Sequence, residues 1–166
     1  ALGARLLDRD GRDVPVGGAG LAALDRIDLS GLDPRLRDTR IEVACNLKNV
    51  LCGEDGVARV FGPQKGATPE QVEALATALD RFAEVVGRDL GVDVHTMPGG
   101  GASGGVGAGV HAILGAELCS RFDVLLPFFG LDEALEEAEL VLTAEGGIDF
   151  KSARGKIPSE VGTRAS

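Results

Sequence analysis

The chain has 166 residues, 44% of them hydrophobic, and carries a formal net charge of −9. This length fits one domain, or one large and one rudimentary domain. The negative charge argues against nucleic acid or an anionic membrane as a partner of the chain as a whole. No apolar run approaches the roughly 18–20 residues that a bilayer-spanning helix needs.

The cysteines and histidines of the chain do not indicate a metal site or a disulfide framework. Cys45, Cys52 and Cys119 contain no CxxC pair, which argues against zinc and against a disulfide framework. Reduced cysteines predict a cytoplasmic protein. His95 and His111 lack metal-like spacing, and we interpret them as structural or surface groups.

The first third of the chain alternates short predicted elements with loops. An irregular polar loop, Asn46–Gly53, then precedes a helical turn at Val57–Phe61. The elements before it are a strand at Ala4–Leu7, a short helix at Leu21–Leu24, a loop from Ile27 that ends in one helical turn at Pro34, and a strand at Arg40–Cys45.

A long amphipathic helix is predicted over Pro69–Leu90. Thr68 is its N-cap, Pro69 occupies its first position, and Gln71 completes a capping box. Apolar residues then recur every three or four positions, and Gly91 ends the helix.

A glycine-rich segment follows, in which seven of the eleven residues from Gly99 to Gly109 are glycine. The alternating run Val92–Met97 predicts a strand before it, and Val106–Gly115 predicts a helix after it. A strand, glycine loop and helix over residues 92–115 are typical of an anion site, because glycines let backbone N–H groups approach a negative charge. The alternative is that the glycines only permit tight packing.

The remaining elements complete an alternating pattern. We predict a strand at Phe122–Leu126, a helix at Asp132–Glu137, a strand at Glu139–Thr143, a loop at Ala144–Lys156 and a last helix from Pro158. This alternation predicts the α/β class, with a layered α/β/α arrangement and a mostly parallel or mixed sheet.

The loops after predicted strands carry complementary groups. Ligands in open α/β sheets bind beyond the carboxyl ends of strands, so such loops can converge on one cleft. Backbone donors, lysines and two acids suit phosphoryl transfer, since they can neutralise phosphate charge, bind Mg²⁺ and orient a hydroxyl. The candidates are the glycine loop, Lys65, Lys156, Glu145 and Asp149. Each also has a plainer interpretation as a solvated or turn-forming residue.

Three blocks resemble the bacterial glycerate kinases of the glycerate 2-kinase type. They are FGPQKGAT at 61–68, MPGGGASGG at 97–105, and TAEG at 143–146 with Asp149 and GKIP at 155–158. The segment IDLSGLDPRL at 27–36 is similar too, so the resemblance covers essentially all 166 residues. It implies transfer of the ATP γ-phosphoryl group to a hydroxyl of D-glycerate, with Mg²⁺. A non-catalytic anion- or nucleotide-binding module is the alternative.

The resemblance also implies a place for this chain in a longer protein. Family enzymes have two α/β domains, one of them inserted in the middle of the other. Residues 1–166 resemble the central part of such an enzyme. We therefore expect them to comprise the inserted domain and flanking strands of the other domain, while the N- and C-terminal parts of the longer protein lie outside these residues. The chain begins without a methionine and stops within a predicted helix, as such a segment would. The sequence is compatible with a homo-oligomer.

We assign roles on this basis. Asp149 is the expected base or Mg²⁺ ligand, and Glu145 a further metal ligand. Lys65 and Lys156 are expected to hold phosphate or the glycerate carboxylate, since the net charge of −9 otherwise repels both. The remaining substrate- and phosphate-binding candidates are Gly99, Gly100, Gly101, Ser103, Gly104, Gly105, Asn46, Asn49 and Gln64.

The chain departs from the common family pattern in three places, one of which is the central glycine loop, where many members have Gly-Ala-Gly-Ala. Asn46 stands where many members have aspartate, and Gly147 stands where many have arginine. These changes remove one acid and one arginine from the loops, and they weaken any role for positions 46 and 147.

Overall fold

The structure is a computed structural model that describes residues 2–144 and 157–165. Its strands form two short sheets. Strands β1 (Arg5–Leu7) and β2 (Arg26–Asp28) pair antiparallel, and strands β3 (Glu42–Cys45) and β4 (Glu117–Ser120) pair parallel. The helices are α1 (Val57–Phe61), α2 (Pro69–Leu90), α3 (Val106–Leu114), α4 (Arg121–Leu125), α5 (Leu131–Glu136) and α6 (Ile157–Arg164).

The predicted α/β class is confirmed, with both parallel and antiparallel pairing. Short 3₁₀ turns connect the elements, and two of them fall where helical turns were predicted. They are Gly18–Ala23, Pro34–Asp38, Pro63–Lys65, Ala102–Gly104 and Leu126–Phe129. In the part of the chain that the structure describes, no helix combines the length and apolarity needed to cross a membrane.

Helix α2 is the centre of the core. Its bounds are those predicted, because its end signals act as expected: the Thr68 hydroxyl accepts the Gln71 N–H, and the Gln71 side chain accepts the Thr68 N–H at 2.9 Å. Gly91 ends the helix in the left-handed conformation. The buried face of α2 comprises Val72, Ala76, Ala78, Leu79, Phe82, Ala83, Val85 and Val86.

Other segments pack on this face. Val57 and Ala58 of α1, Val94 of the following loop and Ala108 of α3 share one apolar cluster with α2. The antiparallel sheet is tied to the far end of α2 by a polar contact, since the Asp89 carboxylate accepts the Ile27 N–H at 2.9 Å. The guanidinium of Arg88 and this N–H hold the pKa of Asp89 below its ordinary value.

Three predicted strands are wrong. Residues 92–97 have no strand partner among the described residues; instead the Asp93 carboxylate accepts the His95 N–H at 3.0 Å and turns the chain locally. Residues 139–143 also lack regular structure, and Leu142 is 87% exposed, unlike a residue of a buried strand.

The third error concerns Phe122–Leu126, whose first four residues belong to helix α4 and whose last residue begins a 3₁₀ turn. Ser120 caps that helix by accepting the Phe122 N–H at 3.3 Å, so the strand lies just before it, as β4. A fourth correction is the predicted loop at Ile27, where β2 is a strand. Its three residues are too few to show an alternating pattern.

The capping box gives a test of the α2 boundary. Thr68→Ala removes the hydroxyl acceptor at the helix start and should lower the free energy of unfolding by about 1 kcal/mol. Thr77→Ala is the matched control, because the exposed Thr77 hydroxyl only donates to the Glu73 carbonyl within α2. Thermal melting of both variants checks this, and equal midpoints would contradict it.

Candidate functional site

A cleft of about 230 Å³ opens at the carboxyl ends of the parallel strands β3 and β4. Cys45 and Ser120, the last residues of the two strands, are paired in register, so the loops after both strands leave from the same edge. The cleft is lined by Cys45, Asn46, Leu47, Lys48, Ser120, Arg121, Phe122, Ser159, Glu160 and Thr163. This is the position at which α/β sheets bind ligands.

The charged side chains of the cleft favour an anion. Lys48 follows β3 and Arg121 follows β4, and Glu160 from α6 is the acidic group among the lining residues. The Arg121 guanidinium lies 4.7 Å from the centroid of the Phe122 ring, in a cation–π contact between two residues of the cleft wall. A chain of net charge −9 thus presents two cations in one small concavity.

Asn46 orders the turn after β3. Its side-chain oxygen accepts the Lys48 N–H at 3.0 Å, and its backbone carbonyl accepts the Asn49 N–H at 3.2 Å. The predicted substrate-binding residue therefore holds the backbone turn that carries Lys48. The carbonyl of Asn49 in turn accepts a hydrogen bond from the glycine loop.

The glycine loop is bonded to this turn through its backbone. The Gly99 N–H donates to the Leu47 carbonyl at 3.0 Å, and the Gly101 N–H donates to the Asn49 carbonyl at 3.1 Å. The N–H groups of three further predicted anion-binding glycines also donate to backbone carbonyls within the segment; they are Gly100, Gly104 and Gly105. In this conformation, these five groups stabilise the loop itself.

Steric contacts explain two of the glycines. Gly99 has a φ of +81°, and a Cβ there would lie 2.9 Å from the Cys45 Sγ and 3.2 Å from Leu118. A Cβ at Gly101 would lie only 2.1 Å from the Val50 carbonyl oxygen. The glycines therefore let the loop lie directly against the β3–β4 sheet and the loop after β3.

Ser103 is the polar side chain at the tip of this loop. It is exposed and has a φ of 52°, the one positive value for a non-glycine residue in 2–144 and 157–165. Such backbone strain often accompanies a functional position. Helix α3 begins at Val106, and Gly105 before it provides no side-chain cap.

The other predicted residues are separate from the cleft or lie outside the described residues. Gln64 and Lys65 are exposed in the 3₁₀ turn Pro63–Lys65 and do not line the cleft. Glu145, Asp149 and Lys156 lie outside the described residues.

Two cleft residues, Ser120 and Arg121, were missed because a strand was predicted immediately after them. Ser120 as a helix N-cap is the signal that would have found them, since it moves the strand end to this position. The buried thiol of Cys45, also in the cleft, has its pKa raised by burial and then by nearby Cys119, so it is protonated at neutral pH.

Comparison with known proteins matches this chain over its whole length. The sequence model of the Glycerate kinase family matches residues 1–166. The chain belongs to the glycerate kinase family. A crystal structure of a Salmonella typhimurium LT2 protein, described as glycerate kinase 2, is 50% identical with a TM-score of 0.77, and the match covers 99% of this chain and 44% of that one.

Two similar proteins are also named as glycerate kinases. Glycerate 2-kinase from Escherichia coli K12 is 47% identical over 158 residues, which is 95% of this chain and 42% of that protein. Glycerate kinase from Haemophilus influenzae is 43% identical over 165 residues, which is 99% of this chain and 44% of that protein. The chain thus spans less than half the length of these glycerate kinases.

The contact between the glycine loop and the loop after β3 can be tested with two glycines. Gly101→Ala places a methyl group against the Val50 carbonyl and should cost about 2 kcal/mol or more, which is about 4–8 °C in melting temperature. Gly109→Ala is the control, because a Cβ there meets nothing within 4 Å inside α3. It should leave the melting temperature unchanged or raise it. Equal midpoints for the two variants would contradict the contact.

Proposed function

We propose that the protein containing this chain is an ATP-dependent glycerate kinase, which transfers the γ-phosphoryl group to a hydroxyl of D-glycerate and gives 2-phosphoglycerate. The relatives named above support the substrate, and they include a protein named glycerate 2-kinase. The observation in the structure that supports it most is the cleft beyond β3 and β4, with Lys48 and Arg121 in its wall. Both substrates are anions, and a cationic cleft attracts them.

We assign phosphate and carboxylate binding to groups around this cleft. The Arg121 guanidinium offers planar, paired N–H donors that match a carboxylate or phosphate, and the Lys48 ammonium adds a mobile charge. Lys156 directly precedes α6, which contributes Ser159, Glu160 and Thr163 to the wall. This connection supports a role for Lys156 at the same ligand.

The glycine loop contributes in a different way from that expected. Since its glycine N–H groups donate within the protein, we assign anion contact to the Ser103 hydroxyl and to the N–H of Val106, the first residue of α3. The glycines then position these donors. Lys65 and Gln64 keep their proposed roles on the family resemblance of the FGPQKGAT block alone.

The base and the metal site are assigned to the segment that precedes α6 in the sequence. Glu145 and Asp149 offer the carboxylate oxygens that Mg²⁺ prefers, and a bound Mg²⁺ would neutralise phosphate charge. Asp149 accepts the proton of the attacking glycerate hydroxyl, which makes the oxygen a better nucleophile. ATP and Mg²⁺ are therefore the proposed nucleotide and metal, and residues 1–166 are the proposed central part of a two-domain enzyme.

The proposed compartment is the cytoplasm. The thiols of Cys45, Cys52 and Cys119 are all free, which fits a reducing environment. Homo-oligomer formation is compatible with the family assignment.

The role of Asp149 has a direct kinetic test. Asp149→Asn in the full-length protein keeps the size of the side chain but removes the base, so kcat should fall by about 100-fold or more. ADP release coupled to a reporter enzyme measures this with ATP and D-glycerate. Near-full turnover of a variant that melts normally would eliminate Asp149 as the base. If the unaltered protein binds ATP but shows no glycerate turnover, it is a nucleotide-binding module instead.

A substitution of Arg121 tests whether the cleft binds a substrate. Arg121→Ala should raise the KM for ATP or for D-glycerate by about 10- to 100-fold, the usual range for losing a hydrogen bond to a charged group. Arg12→Ala is the control, since Arg12 is 77% exposed, pairs with Asp10, and does not line the cleft. Unchanged KM values for both substrates would move the ligand site away from this cleft.

A further inference from the structure

Outside the cleft, three side chains from distant positions of the chain meet beside α2. Cys52 lies in the loop before α1, Asp80 in α2 and His95 in the loop before the glycine segment. One ligand atom from each residue lies within 4.8 Å of the other two, and the His95 Nε2 is 3.9 Å from the Asp80 carboxylate. The spacing of these residues along the chain matches no metal-binding motif. For that reason the sequence alone indicates only a structural or surface role for His95.

The donor set has the chemistry of a transition-metal site. Thiolate, imidazole and carboxylate are all zinc ligands, and zinc bonds of about 2.0–2.3 Å in a tetrahedron separate neighbouring ligand atoms by roughly 3.2–3.8 Å. The observed separation of 3.9 Å between His95 and Asp80 is therefore within a small side-chain adjustment of that geometry. A sulfur ligand disfavours Mg²⁺ and Ca²⁺, which take oxygen ligands.

We propose that Cys52, Asp80 and His95 bind one Zn²⁺ ion, with water as the fourth ligand. The Cys52 thiol gives its proton to solvent when the ion binds, and the thiolate, the Asp80 carboxylate and the His95 Nε2 each contribute one bond. This site is distinct from the Glu145–Asp149 pair assigned to Mg²⁺, and it does not depend on the proposed kinase activity.

Backbone contacts hold the three ligands in place. The Cys52 N–H donates to the His95 carbonyl at 2.9 Å, so two ligand residues are directly joined. The Asp93 carboxylate accepts the His95 N–H at 3.0 Å and fixes the turn that carries the imidazole. Asp80 is on α2, a helix of 22 residues with eight buried side chains. A site supported in this way loses little conformational freedom when the ion binds.

The electrostatic surroundings favour a cation. Burial, together with the carboxylates of Asp80 and Asp93, raises the pKa of the Cys52 thiol to about 12. Burial is the largest cause of this shift, and the negative charges of Asp80 and Asp93 are the part that would attract a divalent ion; a bound ion would in turn stabilise the thiolate. The positive charge of Arg59 lowers the pKa of the Cys52 thiol and opposes cation binding. Its guanidinium, however, already donates to the Glu73 carboxylate at 2.7 Å and to the Gly53 carbonyl.

Access to the site comes from one side. Cys52 is only 4% exposed, whereas the side chains of His95 and Asp80 are 45% and 39% exposed. An ion can therefore approach between the imidazole and the carboxylate and reach the thiol behind them. Once bound, it would join the loop before α1, helix α2 and the segment leading to the glycine loop.

Co²⁺ binding to the full-length protein tests the proposal, since a cobalt–thiolate bond gives a charge-transfer absorption in the near ultraviolet. We expect this band with the unaltered protein, and we expect Zn²⁺ to abolish it by competition. Cys52→Ser should eliminate the band, and His95→Gln should weaken Co²⁺ binding by at least about 100-fold. Zn²⁺ should also raise the melting temperature of the unaltered protein and not that of His95→Gln.

Two matched variants serve as controls. Cys119→Ser changes a thiol outside the cluster, and His111→Gln changes the histidine whose Nδ1 contacts the Ala116 carbonyl. Both should retain the band and the affinity. Because Cys52 is buried and its variant can fail to fold, the half-exposed His95 provides the independent test. Absence of the band, its persistence in Cys52→Ser, or equal affinity in His95→Gln and His111→Gln would each overturn the proposal.

Discussion

The close approach of two backbone segments is the constraint on which the cleft depends. The glycine loop donates from Gly99 and Gly101 to the carbonyls of Leu47 and Asn49, at a separation that leaves no space for a side chain at Gly101. The segment that receives these bonds also carries Lys48 at the cleft wall. The backbone from which the Lys48 side chain extends is thus positioned by hydrogen bonds between main chains, which are insensitive to most side-chain changes.

This contact connects the cleft to the core. The glycine loop continues into α3, whose Ala108 packs in the cluster centred on α2, and the loop after β3 continues through Leu51 and Cys52 into the same cluster. Both sides of the backbone contact are therefore anchored on one long helix. Apolar burial along α2 provides the stability, and the polar loops extend from it towards the sheet edge.

The sequence predicts those elements whose bounds are determined by local signals. The bounds of α2 follow from a capping box, a terminal glycine and a regular apolar period, all of which act within a few residues. The strands at 92–97 and 139–143 failed because pairing depends on a distant partner, which an apolar run does not specify. The same limit applies to the cleft. Asn46 of its wall was among the predicted residues, but Arg121 was hidden by the misplaced end of β4. The Cys52–Asp80–His95 cluster arises only from tertiary contacts.

The wall of the cleft that α6 forms is held by different interactions from the walls formed by the residues after β3 and after β4. Every residue of α6 is at least partly exposed, and its Arg164 is bound to Asp123 of α4 at 3.1 Å and to Asp132 of α5 at 3.1 Å. Salt screens ion pairs whose partners are exposed. It has little effect on the backbone hydrogen bonds that pair β3 with β4. We therefore expect rising ionic strength to weaken the attachment of α6 to α4 and α5 more than it weakens the pairing of β3 with β4, so that the cleft widens from the α6 side.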